Sequence, residues 1–394
     1  MTRPKFSIVM PTRNRSHLIG HALVSALGQS AGDLEVCISD NGDDEATHAV
    51  VESHADPRIK YVRTSRVLSM PDNWDNAVGL ATGEWIIVLE DDCVLSSRCL
   101  EFALQALELC PSKLVSFSWY GYYPPDYRDT SRRAQFVRAP FTGAVRYESG
   151  PQNIANAFSF RYSDIMPRPY NACTHHTLIA ELKDRLGCVY PPPAPDYTFL
   201  IAVLALVDRF TFIDMPLMLS ASGETPCASE QNYDEFLSEL DEQKRGGYAP
   251  VHMPVVQPWS IVAESMWRMK GAMSELDGVE HDHIRYLVDL GEQLQRFEAY
   301  GFTINEEKER FRAHLATQSL GTRLRVSAHV VKRHVRHVIA HHAKPHILRS
   351  DRLRKIASAI TGKEIWSGTE RGFDDITGAI RALEQLYVPL TRST

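Results

Sequence analysis

The stretch Gly83-Glu-Trp-Ile-Ile-Val-Leu-Glu-Asp-Asp-Cys93 decides the reading of this chain. Its apolar run has no polar interruption and ends in three adjacent carboxylates, Glu90, Asp91 and Asp92. Such a run fits a strand buried on both faces, as in a parallel sheet covered by helices. Adjacent acids on a turn repel one another unless a cation sits among them; a solvated turn is the bland alternative. Oxygen ligands suit Mg²⁺ or Mn²⁺, usually held by one or two carboxylates with phosphate oxygens.

Working outward, strand and helix signals alternate. Phe6 to Met10 is a short β-rich run ended by Pro11, and His17 to Leu27 has helical apolar spacing with Ser16 as N-cap. Leu34 to Ile38 is the next strand, closed by the turn cluster Ser39-Asp-Asn-Gly42. A strand over Arg58 to Val62, a helix over Asp72 to Ala81, the strand Glu84 to Leu89 and a helix over Cys99 to Leu109 follow. This order implies a mostly parallel sheet with helices on both faces, whose ligands bind beyond the carboxyl ends of the strands. Thr12, Asn14, Asp40, Asp91 and Asp92 stand at those ends. Residues 112–175 are aromatic and proline-rich and read as irregular loops over a site. Helices are expected over Thr177 to Leu186 and Asp196 to Val207, a last strand over Phe210 to Ile213, and helices over 229–243, 258–275, 280–299 and 305–316.

The chain has 394 residues, 44% hydrophobic and 23% charged, an ordinary globular composition that suggests two or three units. Its net charge of -6 argues against a protein devoted to nucleic acid. The charge is uneven: 321–394 holds 14 Lys/Arg and 6 Asp/Glu, a net of +8, which leaves -14 on 1–320. Seven cysteines without C-x-x-C spacing point to a reducing compartment and no structural zinc. Neither a signal peptide nor a membrane-spanning run is expected, so the localisation read is cytoplasmic, at most against the inner face of the plasma membrane.

Five segments then stand in order: Val9-Met-Pro-Thr-Arg-Asn-Arg15, Ile38-Ser-Asp-Asn-Gly-Asp43, Asn73-Trp-Asp-Asn76, Ala81-Thr-Gly-Glu84 and Leu89-Glu-Asp-Asp92. This series resembles the nucleotide-sugar half of family 2 glycosyltransferases, strongly to residue 100 and weakly to about 222. The resemblance implies a GT-A fold, a Rossmann-like α/β domain with a mostly parallel central sheet. It implies that Pro11 and Thr12 line the nucleotide with backbone groups and that Asp40 accepts a hydrogen bond from the base. Asn14, Arg15, Asn73 and Asn76 complete the nucleotide-sugar set, and Asp91 faces the sugar or ribose. Asp92 would hold the metal bridging the diphosphate, with Glu90 where many members have Asp. Arg13 replaces a commoner Tyr. Asp40 as a turn residue, and Asn73 and Asn76 as cap and surface residues, are the plain alternatives.

A second element is Pro195-Asp196 before an apolar helix. Inverting transfer needs a base for the acceptor hydroxyl, and a carboxylate at a helix N-terminus can serve, its pKa lowered by the helix dipole. Leu186-Gly-Cys-Val-Tyr190 followed by Asp196 is similar to the acceptor half of the same family, which makes Asp196 the base. His175 and His176 would line the acceptor pocket or complete the metal shell. No further histidine follows the last strand before His252, and the Q-x-x-R-W motif of processive synthases is absent, which favours addition of one sugar or a few.

The tail 321–363 carries 11 Lys/Arg against one acid, and six histidines fall between His329 and His346. Its helical apolar stripe fits a helix lying on anionic lipid, or docking on the acidic 1–320 portion within or between chains; nucleic acid has no other support. Altogether 1–222 is read as a GT-A domain (1–110 for the nucleotide sugar, 111–222 for the acceptor) and 223–394 as an all-helical appendage. The expected function is metal-dependent, inverting transfer of one sugar from a nucleotide-diphospho-sugar to a hydroxyl of a glycan, glycolipid or small molecule. A non-catalytic nucleotide-sugar-binding scaffold is the alternative. A nucleotidyltransferase would need a glycine-rich loop where Pro11-Thr-Arg-Asn-Arg15 stands.

Overall fold

A computed structural model describes residues 3–127, 130–221, 258–299, 303–331 and 361–393. The helix expected over 229–243, and 332–360 of the basic tail, lie outside the described residues.

The first half follows the alternating signals. Strands β1 (Phe6–Thr12), β2 (Leu34–Asp40), β3 (Ile59–Arg63) and β4 (Trp85–Val88) are interleaved with helices α1 (Ser16–Leu27), α2 (Ala46–Glu52) and α3 (Met70–Gly79). The strands run parallel in the order β3-β2-β1-β4. Alternate residues divide between the two faces of the sheet. Phe6, Ile8 and Met10 pack towards α1 and α4 (Cys99–Leu109), while Val9 packs into the cluster containing Trp74 and Ala77 of α3. Ser16 is not the cap of α1: Arg15 holds that place, without a side-chain bond. Ser69 instead caps α3, accepting from the Asp72 N–H.

Glu35, buried in β2, ties four segments together. It accepts from Ser7 Oγ at 2.6 Å, from the Thr82 N–H at 2.6 Å and from Thr82 Oγ1, and pairs with Lys60 Nζ at 2.6 Å. Burial raises its pKa, but these donors together hold it below the usual carboxylate value. At Gly83 a Cβ would lie 2.6 Å from Ser7 Oγ and 2.7 Å from the Ser7 nitrogen, so the chain enters β4 only with glycine there.

Residues 112–175 are more ordered than their composition suggests. They form β6 (Leu114–Tyr123), β7 (Gln135–Arg138), β8 (Ala144–Ser149), helix α5 (Gly150–Phe158) and β9 (Ala172–His175). β9 is wedged antiparallel between β4 and β6. After α6 (His176–Leu186) and α7 (Pro195–Ala205), strand β10 (Arg209–Ala221) runs parallel to β6 and antiparallel to β8 and to β5 (Cys93–Leu95). β10 is much longer than the Phe210–Ile213 read from sequence, because a bulge at Pro216 lets it continue.

Helices α8 (Pro258–Ala272), α9 (His283–Ala299) and α10 (Asn305–Thr317) agree with the expected helical segment, and α11 covers residues 320–331. α8 packs on α7, and α9 packs on α8. The end of the chain departs from an all-helical appendage. β11 (Glu364–Ser367) pairs with β7, and β12 (Thr391–Arg392) with β8. Between them lie α12 (Gly368–Arg371) and α13 (Ile376–Glu384). Trp366, Phe373, Ile380 and Leu383 join Val94 of β5 and Leu219 of β10 in a separate small core. Six cysteines among the described residues are free thiols.

Candidate active site

The strand order reverses between β1 and β4, the place where open α/β sheets bind ligands, beyond the carboxyl ends of the strands. Thr12 ends β1, and Glu90-Asp91-Asp92 forms the turn between β4 and β5. Thr12 Oγ1 donates to Asp91 Oδ2 at 2.8 Å, tying the end of β1 to that turn. Arg15 Nη1 donates to Asp91 Oδ1 at 3.1 Å and lies 3.6 Å from Asp92 Oδ2. Asp91 is thus buried with a donor on each oxygen, while Glu90 and Asp92 keep some surface.

Glu90 and Asp92 are held protonated more easily than ordinary carboxylates. Burial and then the Asp92, Asp196 and Asp91 charges push Glu90 well up, against Arg15. Burial and the Asp91 charge push Asp92 up to about 6. A site that strains against its own negative charge is one a cation relieves. Ligand atoms of Glu90, Asp92 and Cys93 lie within 4.8 Å of one another. The two carboxylates fit a hard divalent ion; the buried Cys93 thiol, 3.4 Å from Asp92 Oδ1 and with its pKa pushed well up by burial, does not.

The loop after β2 is built by short polar contacts. Asp40 is fully buried; its Oδ1 accepts from the Gly42 N–H at 2.8 Å and its Oδ2 from Tyr61 OH at 2.7 Å. Asp40 therefore shapes the loop 41–43 and presents no surface of its own. Asn14, exposed and at φ 54°, bonds Asp43 in both directions at 2.9 Å. Asn73 Nδ2 donates to the Thr12 carbonyl at 3.2 Å and its Oδ1 accepts from Ser39 Oγ at 2.7 Å. Asn76 Nδ2 donates to the same Ser39 Oγ at 2.8 Å. Asn73, buried, braces the ends of β1 and β2 from within, and the exposed Asn76 adds a donor to Ser39. Pro11 is buried in β1.

Asp196 sits in the first turn of α7. Asp75 of α3 accepts from the Val189 N–H at 2.7 Å, anchoring the loop that leads into α7. The charge of Asp196 acts on Glu90, so the base expected from the acceptor half is close enough to the acidic turn to raise its pKa. The helix N-terminus does not set the pKa of Asp196 as the sequence suggested. Its backbone N–H groups and Arg168 pull it down, but burial outweighs them and the net shift is upward.

Sequence reasoning missed the wall around Asp196. Arg168 is buried, its guanidinium 5.3 Å from the centre of the Tyr197 ring. Burial pulls its pKa down, but Tyr170, Tyr197 and Asp196 outweigh this and keep it charged. Trp119 packs edge-on to Tyr170, and Tyr162 edge-on to Tyr197. Apart from Tyr197 of α7, these residues come from β6 and the segment before β9, where aromatics without a period gave no signal.

His175 and His176 belong elsewhere. His175 pairs across the sheet with Trp85, and the His176 N–H donates to the Glu84 carbonyl at 2.9 Å. Trp85 begins β4, and at about 3.3 Å per residue Glu90 lies about 16 Å further along. The pair therefore stands at the opposite end of β4 from the acids. It lines no pocket with Asp196 and supplies no ligand to the turn.

Residues 7–166 match the family described as Glycosyl transferase family 2. The chain is 35% identical over 105 residues to a GalNAc(5)-diNAcBac-PP-undecaprenol beta-1,3-glucosyltransferase of Campylobacter jejuni, 26% of this chain and 34% of that enzyme. It is 27% identical over 172 residues to a PGL/p-HBAD biosynthesis glycosyltransferase of Mycobacterium bovis, 39% of this chain and 65% of that protein. The chain thus spans about a third of the first relative and just under two thirds of the second. The structure of S. aureus TarS 1–349 in complex with UDP-GlcNAc aligns at a TM-score of 0.44 and 16% identity, over 75% of this chain and 83% of that one.

Proposed function

From a chain whose residues 7–166 belong to glycosyl transferase family 2, we infer a glycosyltransferase that moves one sugar from a nucleoside-diphosphate donor, with inversion, to a hydroxyl of a glycan or lipid-linked glycan. The observation that carries this reading is the Glu90–Asp92 turn standing beyond the carboxyl ends of β1 and β4, where the strand order reverses, with the charge of Asp196 acting on Glu90. The catalytic unit is 1–222, its sheet extended by 364–392. The relatives act, by their names, on a lipid-linked saccharide in one case and in glycolipid-type biosynthesis in the other, which supports the acceptor class.

Asp92 and Glu90 would hold Mg²⁺ or Mn²⁺, which when bound supplies positive charge to the departing diphosphate. Asp91, locked by Thr12 and Arg15, keeps the turn in place and faces the sugar or ribose. The Asn14–Asp43 and Asp40–Gly42 contacts fix the loop that borders the nucleotide, and the ends of β1 at Pro11 and Thr12 form its floor. Asp196 takes the proton from the acceptor hydroxyl as that oxygen attacks the anomeric carbon. The bond from that carbon to the diphosphate oxygen breaks on the opposite face, so the configuration inverts. A pKa raised by burial makes Asp196 a stronger base than an exposed carboxylate. Arg168 steadies it as the proton moves. Trp119, Tyr170 and Tyr197 wall the acceptor side and keep water from competing.

The test is thermal unfolding with UDP-, GDP- and dTDP-sugars, with and without Mn²⁺, followed by turnover. A site filled at a hundredfold over its dissociation constant adds about 2.7 kcal/mol. A metal-dependent shift for one donor, lost in Asp92→Ala, supports the site. If no donor shifts the transition in the presence of metal, the reading is wrong.

A further inference from the structure

Helix α11 shows two apolar faces where one would suffice for packing. Ser319 precedes it and accepts from the Thr322 N–H, and the helix continues through 331. Val326 and Val330, one turn apart, are buried in the main core. Gly291 of α9 lets them in: a Cβ there would lie 3.0 Å from Val330 Cγ2. That face alone fixes the helix to the protein. A second set, Leu320, Leu324 and Val331, is 64%, 62% and 59% exposed. At about 100° per residue these three project within about 40° of one another, some 120° from the buried pair. Single exposed leucines need no explanation, but three on one face of one helix do.

Charge indicates what covers them. Arg323 and Arg325, both exposed, flank the stripe on its two sides. The segment 321–363 that α11 begins carries 11 Lys/Arg against the single acid Asp351. The described residues of the chain's acidic portion leave the stripe exposed. An apolar stripe bordered by cations suits a surface whose interior is apolar and whose boundary is anionic.

We propose that the Leu320–Leu324–Val331 face of α11 docks on an anionic phospholipid surface. Leu320, Leu324 and Val331 enter the headgroup boundary, while Arg323 and Arg325 pair with phosphates. The packing of α11 on α9, α9 on α8 and α8 on α7 ends at the helix that carries Asp196. Docking therefore also fixes how the crevice is presented to the bilayer. The inference does not rest on the proposed reaction, because binding is measured without donor or acceptor.

The experiment is co-sedimentation of the full chain with vesicles of phosphatidylcholine alone, or mixed with phosphatidylglycerol in roughly equal parts. Binding is expected only to the anionic vesicles and should weaken steeply with salt. The double variant Leu320→Glu, Leu324→Glu should lose at least about tenfold in binding with its unfolding temperature unchanged, since both positions are exposed. Arg323→Glu and Arg325→Glu should each cost about fivefold. Val331→Glu serves as a second probe if the double variant does not fold. The proposal is overturned if the unaltered chain ignores anionic vesicles or if the leucine variant binds them equally well. It is also overturned if sedimentation velocity shows a dimer that the leucine variant dissociates, for then the stripe is covered by a second copy.

Discussion

Arg15→Met should destabilise the metal-free protein and at the same time tighten its hold on a divalent cation. Asp91 is buried, and Arg15 supplies the donor to one of its two oxygens, at 3.1 Å. Methionine keeps the aliphatic bulk but removes both the donor and the charge. Loss of a hydrogen bond to a charged group costs about 1.5–3 kcal/mol, and the arginine is itself partly solvated, so nothing larger is expected. For a unit of this size that is about 3–12 °C in unfolding temperature. The cation works the other way. Arg15 is 3.6 Å from Asp92, and a doubly charged ion held by that carboxylate, about 6 Å from the guanidinium, is repelled by about 1.4 kcal/mol even at the dielectric constant of water. Removing the guanidinium should therefore raise Mn²⁺ affinity about tenfold. Thermal unfolding in chelator and along a Mn²⁺ titration reads both effects. A variant whose metal-free transition stays put, or whose Mn²⁺-induced shift shrinks, refutes the reasoning.

Asp196→Asn should reduce turnover by about 10²–10⁴ while donor binding by calorimetry changes less than about threefold, since the residue acts on the acceptor proton. Turnover within tenfold of the unaltered chain would remove Asp196 as the base. Because burial raises the pKa of Asp196, activity should fall as pH drops through that raised value, where an exposed aspartate would still be ionised. Arg168→Met takes away a charge that lowers this pKa, so the acid limb should move to higher pH; an unmoved limb with only a lower plateau would make Arg168 merely structural. Glu35→Gln should cost about 2–4 kcal/mol at neutral pH by disrupting a four-segment tie. The folded pKa of Glu35 is depressed, so its contribution is complete above the unfolded value and fades as pH falls through the folded one. Urea midpoints for the variant and the unaltered chain should therefore converge on acidification, and a gap that persists would place the effect in packing.

The sheet from β1 to β4 was legible because its signals are local. Each strand is a short apolar run, each helix repeats with its own period, and the polar residues fall at the strand ends. The acidic turn and Asp196 were legible for the same reason, as charges set against apolar neighbours. What sequence did not show depends on distant partners. β5 is three residues long and exists because Met218 to Ser220 of β10 lie beside it. β6 hides in an aromatic stretch whose faces are both covered, so alternation is lost. β11, β12 and α13 close a core with Val94 and Leu219, far away in sequence. His175 and His176 looked chemical as a pair, but the junction of β9 and α6 sets them at the other end of β4 from the acids. The hydrogen bonds of Asn73 to Thr12 and of Asn76 to Ser39 could not be read from sequence, because they depend on where the ends of β1 and β2 come to lie.

The return of residues 364–392 to the sheet has a consequence for how the protein is made. β12 pairs with Ala144 and Val145 of β8, and Glu384 accepts from the Ser97 N–H, a separation of 287 residues. On the ribosome, the edges of β7 and β8 that pair with β11 and β12 must therefore wait until residues 364–392 have emerged. At about 5–20 residues per second that interval lasts on the order of ten seconds or more. An exposed strand edge held open for so long is a template for pairing with another chain. Chains cut short before residue 364 should therefore aggregate even with every residue of the crevice in place. Demand for chaperones during synthesis should last until residues 364–392 are made, well after the strands of the crevice have appeared.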